Sequence, residues 1–319
     1  MEEKMTEYFL WRTVLGCKHR VQITAEQYSD LDDAVTTLWE NLYLEQKYDF
    51  VIENYIEFEE TILRCGLEHM VLGRTDNKSF EADTANFNRR IMNLMTTYKT
   101  YDDSLPQHIN RIFHRDESIA AQALRTFSRE YDGRIGYRAF VKLRNYIQHQ
   151  GFPLHGSSYM SNWLSREDDL KYKSRYTVDL YLHPAELRKG DYNRTILAEL
   201  EALGGKIDLK LLIREFIEGF SIAHDSNRNI FRDKLDWAVK YIESAEQCYL
   251  ADGELKKSLV ALAACKKVPG GSQLEKIYLH RSSEDQRNYL EKKNIPLINL
   301  ARRYISNEGG DSMGVDTTF

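Results

Sequence analysis

An arginine, an asparagine beside it and a histidine five residues from the arginine stand in the run Arg144-Asn145-Tyr146-Ile147-Gln148-His149. The Gly151-Phe152-Pro153 that follows is a stop signal, so a helix ending there holds His149 in its last turn and Arg144 and Asn145 about one turn earlier. Each residue type has a use against a phosphodiester. The planar guanidinium donates two parallel charge-assisted bonds to a phosphate. An imidazole near a helix C-terminus, where the macrodipole favours its cationic form by ~0.3–1 kcal/mol, suits general acid–base work near neutral pH. Asn145 lies one turn from His149 and can orient the imidazole or the substrate. On RNA, a 2′-hydroxyl can attack the adjacent phosphate without a metal, with His149 moving protons and Arg144 stabilising the developing charge. The competing reading is an ordinary polar helix end whose histidine bonds the last carbonyls and whose basic face is merely solvated.

Spacing does not choose between these readings. With 24 arginines and nine histidines among 319 residues, chance supplies about one Arg–His pair at any fixed spacing. Arg64 and His69 form a second such pair, and Arg12 and His19 a looser one. The Arg64–His69 stretch contains Gly66, which weakens a helix by about 1 kcal/mol relative to alanine, and lacks a polar residue after the arginine; helix-end structure is its plainer explanation. A helical wheel is more informative. Over residues 134–149, Gly136, Ala139, Phe140, Leu143 and Ile147 share one arc that should face a core. Arg134, Arg138, Lys142, Asn145 and His149 fall in an arc about 80° wide, almost opposite, with Arg144, Gln148 and Tyr137 on one flank. A basic stripe therefore ends at the histidine. Arg138, Lys142 and Gln148 are the candidate substrate-binding residues beside the candidate catalytic Arg144, Asn145 and His149.

The rest of the chain restricts the chemistry. Net charge is −5, so any nucleic-acid contact must be local rather than a coating of basic surface. Cys17, Cys65, Cys248 and Cys265 are scattered without a C-x-x-C pair or zinc spacing, which fits idle thiols in a reducing compartment. His224-Asp225 is similar to the metal doublet of HD phosphohydrolases, but the spaced partner histidines that such chemistry needs are not evident. Glu53, Glu57, Glu59 and Glu60 read as a solvated face, with Glu57 or Glu60 a secondary candidate for the motif cleft. No Walker loop, Gly-x-Gly-x-x-Gly or nucleophile elbow occurs. The acidic opening Met1-Glu2-Glu3-Lys4 does not read as a secretory signal, and no stretch approaches the ~20 apolar residues of a bilayer span. The expected location is the cytoplasm, without membrane contact.

The elements that must position the motif are mostly helices. Residues 8–23 read as a short hairpin or an irregular arm. Thr24 and Gln27 resemble a capping box, followed by an apolar stripe from Leu31 to Leu63 that fits two helices or one long bent one. A polar loop is expected over 74–81, a third helix from Asp83 or Thr84, a break at Asp102 to Pro106, a fourth helix over 108–115 and a fifth over 118–131. The motif helix comes next. Residues 157–175 read as a loop or weak helix, and 176–182 alternate as a strand. Helices are expected over 195–203, 209–223, 229–251 and 253–267, a turn at 269–271, and one or two helices over 284–304.

Residues Leu143 to Leu154 resemble the signature of the HEPN superfamily: an arginine, a polar residue, then a histidine after four to six intervening positions. By position, Arg144 and His149 match the family's invariant pair and Asn145 the polar residue. The resemblance covers about residues 24–155. It implies an all-α fold, a HEPN-like up-and-down helical bundle with an additional C-terminal helical region and at most a few short strands. The expected organisation is an N-terminal arm (1–23), the bundle carrying the motif (24–165), a C-terminal helical region (166–305) and a disordered tail (306–319). Catalytic members are metal-independent ribonucleases of bacterial toxin–antitoxin, abortive-infection and CRISPR defence systems, and they dimerise so that two motifs face one another. The resemblance thus implies an endoribonuclease acting on RNA as a homodimer, with no cofactor and no metal, and an antitoxin or other defence protein as a partner. Some members keep the bundle without nuclease activity. The alternative is therefore a non-catalytic HEPN-like module binding RNA, a nucleotide or a protein partner.

Overall fold

A computed structural model describes residues 6–74, 76–114, 116–163, 174–252, 258–270 and 274–305. The chain opens on a hairpin of β1 (Glu7–Arg12) and β2 (Arg20–Gln22), the first of the two forms that residues 8–23 allow. Thr24 and Gln27 then form the capping box in full, each side chain accepting from the other's backbone N–H. The helix they start, α1 (Ala25–Leu72), is a single one and ends on Gly73 in the left-handed conformation.

Helix α2 (Asn77–Ile112) starts earlier than expected, because Asp76 caps it by accepting from the Ser79 N–H at 3.0 Å. It also runs straight through the expected break at Asp102 to Pro106. A proline inside a helix costs about 3 kcal/mol, but Leu105, Ile109 and Ile112 are buried on the same face at roughly 1.5–3 kcal/mol each, and burial wins. Helix α3 (Glu117–Gly133) and the motif helix α4 (Ile135–His149) fall where the sequence places them.

Beyond α4 come β3 (Gly156–Trp163), β4 (Ser174–Leu182), α5 (Pro184–Arg188), α6 (Arg194–Leu203) and β5 (Ile207–Asp208). Residues 156–163 are thus a strand rather than a loop or weak helix, held along their length by pairing with β4. Helix α7 (Leu209–Ala251) is continuous where two helices were expected; His224, Asn227 and Arg228 of the polar stretch between them are buried, so it is not a linker. A further correction concerns the expected helix over 253–267. Residues 262–267 form β6 (Leu262–Lys267), whose Leu262, Ala263, Ala264 and Cys265 are buried between β1 and β7 (Leu274–Tyr278). A short apolar run reads alike for a buried strand and a helix segment, and pairing decides. Helix α8 (Ser282–Lys293) and a 3-10 turn (Leu300–Arg302) finish the described chain. The tail expected over 306–319 lies outside the described residues.

The described chain is therefore mostly helical, with two antiparallel sheets ordered β2-β1-β6-β7 and β3-β4-β5. One hydrophobic cluster takes residues from α1 through α4 and equally from α7, which lies against α1, α3 and α4. Among the described residues no helix is long and apolar enough to cross a membrane.

Candidate functional site

The seat of α4 is made by glycines. A Cβ on Gly136 would stand 2.6 Å from the Leu212 carbonyl oxygen, and one on Gly219 would stand 2.9 Å from Arg134 Cδ. With no Cβ on either helix, α4 and α7 approach closely, and the Gly136 N–H donates to Glu215 Oε2 at 2.7 Å. Phe140 stacks on Phe216 with centroids 4.1 Å apart, and the Tyr192 hydroxyl donates to the Ala139 carbonyl at 2.9 Å. The apolar arc of the wheel is therefore the packed face. At the other end the Gln150 N–H donates to the Tyr146 carbonyl at 2.8 Å, closing the helix after His149. The Leu154 N–H then donates to Asn88 Oδ1 at 3.1 Å, tying the turn beyond the motif to α2.

On the opposite face the motif is open. Arg144 is half-buried, and Asn145, Gln148 and His149 are exposed. Among the described residues none of these four side chains has a hydrogen-bond or ion-pair partner. Arg144 and Asn145 line a cavity of about 160 Å³ between α4 and α2, facing Tyr98, Lys99 and Asp102. Lys99 donates to Asp102 at 3.0 Å and also pairs with Asp103, and the Asp103 bond holds its ammonium above the ordinary value against the effect of burial. Burial raises the Tyr98 phenol well above its usual range. Both groups thus keep their protons near neutrality. The cavity brings Arg144 and Asn145 together; His149, one turn on, stands outside its lining in solvent.

The basic stripe is interrupted. Arg134 donates to Glu130 at 2.7 Å and Glu218 at 3.1 Å. Arg138, a candidate for substrate, donates to Glu199 at 2.6 Å and to the Tyr131 carbonyl at 2.9 Å. Lys142 lies 5.9 Å from the centroid of the Tyr131 ring and also borders the Arg144 cavity. Of the three arginines of this stretch, Arg144 alone is uncommitted among the described residues. The acidic run is committed elsewhere, Glu53 to Lys293, Glu57 to Arg90 and Glu59 to Arg214, and neither Glu57 nor Glu60 borders the cavity. Arg64 and His69 bond Glu68 and the Arg74 carbonyl, as helix-end structure does.

A second His–Arg cluster is buried. Arg228 holds Glu45 through two bonds of 2.8 and 2.7 Å and donates to the Asn294 carbonyl at 2.9 Å. His224 lies 3.2 Å from Glu45 through Nε2 and 2.9 Å from the Tyr101 hydroxyl through Nδ1, stacked on Tyr48 at 3.9 Å. Burial pushes the His224 imidazole down, towards its neutral form. Burial alone would raise the Glu45 carboxyl, but the hydrogen bonds from Arg228 and His224 and the guanidinium charge outweigh it and hold the carboxyl at about 2. His224-Asp225 is thus no metal doublet, and among the described residues no group of three or more His, Cys, Asp or Glu is placed to hold a metal.

Sequence reasoning missed Tyr98, Lys99 and Asp102, the α2 side of the cavity. Their spacing with Asn88, Met92 and Met95 follows one helical stripe and was visible, but the antiparallel approach of α4 was not. No family model, no curated protein and no solved structure matches this chain.

Proposed function

We propose that the protein is a metal-independent endoribonuclease with a HEPN-like helical bundle, its active site completed by a second copy of the chain. The observation that carries this reading is that Arg144 and His149 project from one well-seated helix with no partner among the described residues, while Arg134 and Arg138 on that helix or at its start are both committed to carboxylates. Donors not spent on a carboxylate of the chain are available to a phosphate; spent ones are not. In this mechanism His149 takes the proton of the 2′-hydroxyl as it attacks the adjacent phosphorus, and the 5′-oxygen leaves with a proton from the second copy's matching histidine. Arg144 holds the non-bridging oxygens as charge grows on them, and Asn145 orients the scissile linkage. Lys142 and Gln148 flank the strand. A second copy supplies the acid that one exposed histidine cannot supply alone. Defence or toxin activity, and a protein that neutralises it, follow as part of the same proposal.

The test is RNA incubated with the protein in EDTA. The reading expects cleavage leaving 2′,3′-cyclic phosphate ends and none on the matching all-deoxy strand. RNA left intact while bound would favour the alternative, a non-catalytic module for RNA, a nucleotide or a protein partner.

A further inference from the structure

A larger cavity, lined by Phe152 three residues past the motif, takes no part in the mechanism above. It measures about 630 Å³, within the usual size of small-ligand sites, and lies along the first half of α2. Its walls include Phe80, Met92 and Phe152, with Asn88, Arg89 and Glu81 among its polar groups. Phe152 is 63% exposed, although the turn that carries it is tied down one residue past Pro153 by the Leu154–Asn88 bond. An aromatic ring exposed to solvent on an anchored turn offers a stacking surface.

Asn88 adds the polar half. The residue is only 6% exposed, and its Oδ1 is taken by the Leu154 N–H. That bond fixes the amide orientation, leaving Nδ2 without a partner among the described residues on a side chain that lines the cavity. A buried amide with its carbonyl spoken for presents a fixed donor, which suits a ring nitrogen or an exocyclic oxygen of a ligand. The Arg89 guanidinium is exposed and bonded only to Asn86 Oδ1, so it retains donors for an anion.

Position links this cavity to the motif. Asn88 and Met92 in the large cavity and Met95, Lys99 and Asp102 in the small one follow one another on a single stripe of α2, at three- and four-residue steps. Phe152 lies three residues after His149, so their Cα atoms are at most about 11 Å apart.

We propose that this cavity binds a nucleobase, stacked on Phe152 and Phe80 with the Asn88 amide donating to the base edge, so that the attached phosphate reaches Arg144 and His149. The proposal deepens the ribonuclease reading, on which it rests for the identity of the ligand as a residue of RNA; the binding itself is separable from cleavage. The experiment measures binding of AMP, GMP, CMP and UMP, and of a short single-stranded RNA, to the full chain carrying His149→Ala in EDTA, with inorganic phosphate as a competitor. Phe152→Ala, a change at an exposed ring, and Asn88→Asp, which keeps the acceptor for Leu154 and removes the donor, are each expected to weaken binding of at least one nucleotide tenfold or more. Weakening seen only for the RNA would place the base of a strand there rather than a free nucleotide. Equal binding by the parent and Phe152→Ala proteins, competition by phosphate as effective as by nucleotides, or no binding of any probe would overturn the proposal. RNA cleavage unaffected by Phe152→Ala would leave the nuclease reading standing without this pocket. Nucleotide binding lost in Phe152→Ala, in a protein that never cleaves RNA, would do the reverse.

Discussion

The buried cluster around Glu45 and the open motif on α4 both combine histidine with arginine, and they are opposites. Around Glu45, His224 and Arg228 the charged side chains are nearly sealed from solvent, and each bonds to a partner. On α4, Arg144 and His149 bond to nothing within the described chain. The same residue types thus serve two ends. A satisfied buried network specifies how α1, α2 and α7 come together, since an unpaired charge there is costly. The half-buried Arg144 and the exposed His149, bonded to nothing among the described residues, contribute little to folding and are the groups that the proposed chemistry would use.

The sharpest way to break this contrast is to swap an arginine at each place. Arg228→Met leaves Glu45 buried without its partner, and urea unfolding is expected to show a loss of about 3–5 kcal/mol. Arg144→Met is expected to change stability by no more than about 0.5 kcal/mol. Equal losses at the two sites would erase the distinction.

Next in size is the seat of α4. Gly136→Ala forces a Cβ against the Leu212 carbonyl, which is backbone and cannot swing aside. Thermal unfolding should report a loss of about 1–3 kcal/mol, and cleavage should fall as the helix carrying the pair is displaced.

Acid should undo the buried cluster. His224 and His108 titrate below their ordinary value of 6.5, burial being the main cause in each. The unfolded chain therefore takes up protons first as pH falls through 6.5, and stability declines from there. Glu45, at about 2 against an ordinary 4.5, stabilises the fold above 4.5 and loses that contribution between 4.5 and about 2. Unfolding midpoints measured from pH 8 to pH 4 should fall with pH, most clearly below 6.5; a flat profile would count against a neutral buried His224.

The smallest expected effect tests the interrupted stripe. Glu199→Gln releases Arg138 from its ion pair and lengthens the positive strip beside Arg144. RNA binding at low salt should tighten by less than tenfold and become more salt-dependent. Unchanged binding would mean that Arg138 faces away from the strand.

Much of this contrast could be read from sequence, and the part that could not has a physical cause. The α4 wheel separated a packed face from an open one, since residues 134–149 carry a strong 3.6-residue period and a stop signal. The capping box at Thr24 was equally local. What failed was non-local. Pro106 does not break α2, because core burial outweighs a lost helix bond, and residues 262–267 join a sheet whose other strands lie far away in sequence. The wheel likewise could not show that Glu199 pairs with Arg138, or that Asn88 and Phe152 line one cavity. His224 read as half of a metal doublet without partner histidines, and only the fold shows that α1 supplies Glu45 to it.

The most direct measurement is the initial rate of RNA cleavage in EDTA for the parent protein, Arg144→Ala and His149→Ala, with unfolding midpoints recorded on the same samples. Each substitution is expected to lower the rate by about 10²–10⁴-fold, the range for a lost acid–base group, while the midpoints stay together. Both variants cleaving at the parent rate would contradict it.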